Sequence, residues 1–150
     1  MSENYPSIYQ TGRKSTCLSQ ESAAELLEIS VESLKAYETG LRVPPNAVVY
    51  QMAALYGAPW LALLHLQGTS GALGVLPEDI RVRPLPTAAI ELINRVLEFA
   101  EQHRDRQLLR IAEDGIIDDQ ERPAFDAIVE DLDGIIKAAL QVKFTTTKME

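Results

Sequence analysis

No stretch of this chain alternates β-branched or aromatic residues with polar ones between hairpin turns, so strands have no sequence support. Apolar residues instead recur every three or four positions, the spacing that lays them along one side of an α-helix. An all-α protein is therefore expected. Ser, Gly and Pro cut the pattern into pieces of unequal length, and no internal repeat is present.

The first half divides into short pieces. A helix over about Ser7 to Thr16 has a thin apolar pattern, and Gly12 inside it weakens the expectation. In "LSQESAAELLE", Ser19 can cap a helix whose buried side holds Ala23, Ala24, Leu26 and Leu27. "ISVESLKAYETG" follows, with Ser30 as N-cap and Gly40 as stop signal. The prolines of "RVPP" break the chain. A fourth helix runs from about Asn46 to Tyr56 and ends at Gly57; a fifth starts near Pro59 and runs through Leu66. Five short helices in so short a stretch suit a compact domain over residues 1–66.

Residues 67–86, "QGTSGALGVLPEDIRVRPLP", are rich in Gly and Pro and read as a linker that packs along a surface. From Thr87 onward, Ala89, Ile93, Val96, Ala100, Leu108 and Ile111 share one face of a long amphipathic pattern, with a polar interruption at His103 and Arg104. One helix of ~26 residues would extend roughly 39 Å. After "DGIIDD" a last helix, about Pro123 to Val142, repeats Phe125, Ile128, Leu132, Ile135 and Leu140. Residues 87–150 thus read as a long antiparallel helical hairpin. Alone it has too little core, so its apolar faces need a partner.

Composition narrows the function. A hydrophobic fraction of 46% and a charged fraction of 24% are those of a soluble globular protein. No apolar run reaches the ~18–20 residues of a membrane span, and "MSENYPSIYQ" lacks a secretory pattern. A single cysteine, Cys17, excludes an internal disulfide and fits a reducing cytoplasm. The net charge of −8 argues against indiscriminate nucleic-acid binding. Yet residues 1–68 hold four basic and six acidic residues, a net of −2, and the remaining ten basic and sixteen acidic residues put −6 in the rest.

Residues 20–40 carry the functional signal. A helix-turn-helix unit needs a small residue where its helices cross, and Ala24 is one. Ala23, Leu27, Ile29, Leu34 and Tyr37 supply its inner side, and Glu28 to Ser30 its turn. The second helix is left with a free outer face, Val31, Glu32, Ser33, Lys35 and Ala36, which can enter a DNA major groove.

"LSQESAAELLEISVESLKAYETGLRVPP", followed by "VVYQMAALYGAPWLALL", resembles the DNA-binding domain of the Cro and phage-repressor type, the xenobiotic-response-element-like family of transcriptional regulators. Ser-Gln with an alanine four residues on, Ile-Ser, Tyr-Glu-x-Gly, x-Arg-x-Pro and Leu-Tyr-Gly carry the likeness across residues 7–66. The resemblance implies a five-helix, lambda-repressor-like bundle binding double-stranded DNA. It places Gln20 at a backbone phosphate, Ser30 as cap of the recognition helix, and Val31, Glu32, Ser33, Lys35 and Ala36 near base edges or phosphates. It puts Arg42 at a phosphate and Arg13 and Lys14 beside the same groove, and makes Glu38 structural. Two departures stand out: Glu28 replaces the family's usual glycine, and the reading face lacks glutamine, asparagine and arginine.

The expected protein is a regulator, a repressor in this reading, that dimerises through residues 87–142 and reads two half-sites roughly 34 Å apart. The alternative is an adaptor, such as an antitoxin or antirepressor, whose acidic hairpin captures another protein. No enzyme motif, cofactor loop or metal constellation is apparent. In "EDGIIDDQE" the first two calcium-ligand positions would be Arg110 and Ala112, so Gly115 reads as a helix end and Asp118 or Asp119 as a cap. His65 and His103 have no second ligand at metal spacing. Cys17 reads as a small core residue, and Tyr56 and Trp60 as core fillers.

Overall fold

A computed structural model describes residues 7–145 and shows an all-α chain, with no strand among the described residues. The described residues divide into two compact units, one of residues 7–78 with 144 and 145, the other of residues 79–143.

The first unit contains α1 (Ser7–Lys14), α2 (Gln20–Leu26), α3 (Val31–Thr39), α4 (Asn46–Tyr56) and α5 (Trp60–Ser70), followed by a single 3-10 turn at Gly71–Leu73. The five expected helices are all there. α5 runs on to Ser70, so the expected linker begins with helix. Tyr9, Ala24, Leu34, Met52 and Leu61, from five different helices, are each at most 1% exposed and form the centre of the core. Full burial of each large side chain contributes on the order of 1.5–3 kcal/mol. Trp60 and Tyr56 join them as expected.

Gly12 has a packing reason to interrupt α1. A Cβ there would lie 3.1 Å from the Tyr56 ring, so the glycine lets α1 and α4 approach closely. Across the core, the Tyr9 hydroxyl lies 2.6 Å from His65 Nδ1, and His65 Nε2 lies 3.1 Å from Asn46 Oδ1. The Asn oxygen can only accept, so Nε2 carries the proton and Nδ1 accepts from the tyrosine. Burial lowers the His65 pKa and keeps the ring neutral.

Cys17 departs from expectation. It is exposed, with φ of 58°, and ends the turn after α1 rather than filling the core.

The second unit contains α6 (Leu85–Glu101), α7 (Arg104–Ile111) and α8 (Arg122–Lys143). The single long helix expected from Thr87 is thus two, and the two-helix hairpin is a three-helix unit. The break falls at His103, whose φ of 56° is left-handed, with its amide bonded back to the Ala100 carbonyl at 3.0 Å. Beyond the break, Arg104 Nε donates to Asp131 at 2.7 Å and Nη1 donates to Gln107 at 3.0 Å, fixing the start of α7 against α8. Arg95 of α6 lies against Gly134 and Arg104 of α7 against Asp131, so both helices pack on α8. Gly115, in the left-handed region, turns the chain within the connection after α7, and Asp118 Oδ1 accepts from the amides of Gln120 and Glu121, capping the approach to α8.

Much of the apolar face expected along α6 is uncovered within the unit. Ala88 is buried and Leu92 and Phe99 are half-buried, whereas Ile90, Ile93, Val96 and Leu97 are 63%, 55%, 44% and 53% exposed. The helix is apolar on two sides, and periodicity alone cannot tell which one faces inward.

Candidate nucleic-acid interface

The chain folds back on itself between α2 and α3 by a glycine-type motif made without glycine. Ser19 caps α2 by accepting from the Ser22 amide at 3.1 Å. At the other end, the Glu28 amide bonds the Glu25 carbonyl at 3.1 Å and the Ile29 amide bonds the Ala24 carbonyl at 3.0 Å. This is the Schellman pattern, and its left-handed residue is Glu28, with φ of 56°. Glu28 therefore keeps the usual turn and carries the strain of an L side chain there. Ser30 Oγ then accepts from the Ser33 amide at 3.0 Å and starts α3, which stops at Gly40 with φ of 80°.

A buried charged cluster fixes α3 against α1 and α2. Glu38, on the inner side of α3, takes Arg13 Nε at 2.6 Å and Nη2 at 3.0 Å, and Gln20 Nε2 at 2.8 Å. Arg13 Nη1 also donates to the Leu18 carbonyl at 2.8 Å. The two charged side chains are 9% and 1% exposed, so the fork-on-carboxylate geometry is what compensates their desolvation. Hydrogen bonding to Glu38 raises the Arg13 pKa despite burial. The neighbouring Tyr56 hydroxyl is buried without a hydrogen-bond partner, and burial, reinforced by the Glu38 charge, pushes its pKa up to about 12.

The outer side of α3 faces solvent. Glu32, Lys35 and Thr39 are exposed, Val31, Ser33 and Ala36 are half-buried, and Leu34, Tyr37 and Glu38 point inward. Arg42 reaches back over this helix: Nη2 donates to Ser33 Oγ at 2.8 Å, and its guanidinium carbon sits 5.4 Å from the centroid of the Tyr37 ring. Among the described residues its other guanidinium donors make no hydrogen bond. Lys35 and Arg42 thus flank the exposed face of α3, and Lys14 is exposed at the end of α1.

The expected site residues therefore separate. Ser30, Val31, Glu32, Ser33, Lys35, Ala36 and Arg42 are gathered on or beside α3. Arg13 is turned inward to Glu38, and Gln20 donates to the same carboxylate, so the amide that opens α2 is engaged within the fold. Sequence reasoning overlooked Thr39 on the exposed face and Tyr37 beneath Arg42. Thr39 stands seven positions after Glu32, two helical turns along the same side, which was the available signal.

Two helices joined by a tight turn, the second fixed by an inner tie and bare on its outer side, define a helix-turn-helix domain. A family model described as a helix-turn-helix domain matches residues 12–66, which spans α2, the turn, α3 and α4 whole. No curated protein and no solved structure matches the chain. Among the described residues, no helix is long and apolar enough to cross a membrane.

Proposed function

We propose that the chain is a sequence-specific DNA-binding regulator of the Cro and phage-repressor type, acting as a homodimeric repressor. The observation that carries this reading is the exposed face of α3, flanked by Lys35 and Arg42 and fixed from behind by Glu38. A rigid helix that projects from its domain and carries cations on its flanks matches the geometry by which such helices enter a major groove. Of the four basic residues among residues 1–68, Lys14, Lys35 and Arg42 face outward and Arg13 does not.

The dimer part of the proposal is supported by α6. Ile90, Ile93 and Leu97 follow a three-then-four spacing on a solvent-exposed side, the pattern of a helix seam that meets another helix. Val129 and Ile136 extend exposed apolar surface onto α8. A second copy would cover these side chains and place two reading helices on one duplex.

The test is binding to the DNA upstream of the protein's own gene, titrated in salt, for wild type and for a Lys35→Glu, Arg42→Glu variant. Three outward cations per subunit set an upper slope of about −5 for the logarithm of affinity against that of salt in a dimer. Tight binding with such a slope, lost in the variant, is the expected result. Equal, weak binding of both proteins to any duplex would overturn the proposal in favour of a protein-binding adaptor.

A further inference from the structure

The polar groups of α3 are unevenly available. Ser30 Oγ donates to Ser33 Oγ at 2.9 Å while accepting from the Ser33 amide, and Ser33 Oγ also accepts from Arg42. Both hydroxyls are thus engaged in the cap and its bracing. Thr39 Oγ1 donates to the Lys35 carbonyl at 2.8 Å, so its hydrogen is turned back onto its own helix. Glu32 differs: exposed in the first turn, it makes no hydrogen bond or ion pair among the described residues. At ~100° per residue, Glu32, Ala36 and Thr39 lie on one line, opposite Leu34 and Tyr37. The outermost line of α3 therefore carries one carboxylate, which only accepts, followed by the methyl groups of Ala36 and Thr39.

That combination matches few base edges. In the major groove only cytosine N4 and adenine N6 donate, and adenine sets its N7 acceptor beside N6, where it opposes a carboxylate. Cytosine has no such acceptor. A methyl group finds its complement in the thymine C5 methyl. Ala36 is four residues beyond Glu32, ~6 Å along the helix axis, and base pairs rise ~3.4 Å, so the two contacts fall one or two steps apart. We propose that α3 selects a pyrimidine pair in each half-site: a cytosine read by Glu32 and, one or two base pairs away, a thymine read by Ala36. The inference rests on the DNA-binding function proposed above and assigns its sequence class. It also gives Glu32 a role that a phosphate-binding surface would not, since a carboxylate facing phosphates is repelled.

Selection from a pool of randomised duplexes by the full-length protein tests it, followed by titration of single-base variants of the selected site. The selected half-site is expected to hold an invariant cytosine with a thymine one or two steps away, and changing that cytosine should weaken binding by about 5- to 150-fold. Replacing the thymine by uracil, which lacks only the methyl, should weaken it severalfold. Glu32→Gln, isosteric and exposed, should move the preference at that one position from cytosine to adenine, the base a glutamine can hold through N6 and N7, while leaving the thermal melt unchanged. A selected site without a fixed cytosine, or a Glu32→Gln variant with unaltered base preference, would overturn the assignment and leave DNA binding standing. If no duplex is enriched above unselected DNA, the DNA-binding reading falls with it.

Discussion

Replacing Arg13 by methionine tests the tie behind α3 most directly. The change keeps the bulk of an unbranched side chain and removes the guanidinium. Glu38, 1% exposed, would lose both Arg13 contacts, at 2.6 and 3.0 Å, and keep only the Gln20 amide. Removing one partner of a buried ion pair costs about 3–5 kcal/mol. A unit of this size has a total stability of only about 4–10 kcal/mol, so the single variant should melt far below wild type. Adding Glu38→Leu removes the orphaned charge, and the double variant should recover most of the loss, short by about 1 kcal/mol for each group left without its partner, the Leu18 carbonyl and the Gln20 amide. Urea denaturation followed by helical circular dichroism gives all three values. A cost below about 1 kcal/mol for Arg13→Met would refute the reasoning, because the pair would then be solvated rather than buried. The folded double variant also tests the fate of Arg13 on DNA: its salt slope should equal that of wild type, and a slope shallower by about one per subunit would return Arg13 to the phosphates.

Three further outcomes follow from named contacts. Glu28→Gly relieves ~1–2 kcal/mol of left-handed strain against ~0.4–1 kcal/mol of added unfolded-state freedom, so the melting temperature should rise by several degrees; a fall in calorimetry would contradict the turn geometry. Tyr56 is protonated in both states below pH 10, but between pH 10 and about 12 only the unfolded chain releases its proton, so stability should drop there by up to about 2 kcal/mol. Tyr56→Phe should lack that part of the drop and be no less stable at neutral pH, as its hydroxyl has no partner to lose. Gly12→Ala and Gly134→Ala should have opposite signs in a thermal melt. The first Cβ meets the packed Tyr56 ring at 3.1 Å and should cost about 1 kcal/mol or more. The second meets only the flexible Arg95 side chain, at 3.4 Å, and should gain up to about 1 kcal/mol of helix propensity.

What the sequence made legible were the features that depend on a residue and its near neighbours. Ser19, Ser30, Gly40 and Gly57 marked helix ends because capping chemistry is local. Glu28 could be read as a strained turn residue for the same reason. The polar interruption at His103 and Arg104 was visible, but not that the helix breaks there, since neither Gly nor Pro marks it and the Arg104–Asp131 contact that fixes the next helix joins positions 27 apart. Arg13 looked like an outward cation because a basic residue at a helix end reads the same whichever way it points. The clue lay in Glu38, four positions after Leu34 and hence on the inner side, where a carboxylate requires a cation. Cys17 was misjudged because a positive φ leaves no trace in a cysteine.

The carboxylate of Glu38 leaves α3 on the side away from Glu32, Ala36 and Thr39, and it is held by residues of both preceding helices. The pose of α3 is thereby settled before any ligand arrives, so association should resemble the docking of a rigid body, with little ordering cost, and variants of the outer face should differ mainly in how fast they let go. The separation has a longer-term consequence as well. Because the residues that hold the helix and those that face outward share no atoms, the outward set can be exchanged one residue at a time without disturbing the fold. A lineage built on this scaffold can change what the outer face contacts while each intermediate remains a folded protein.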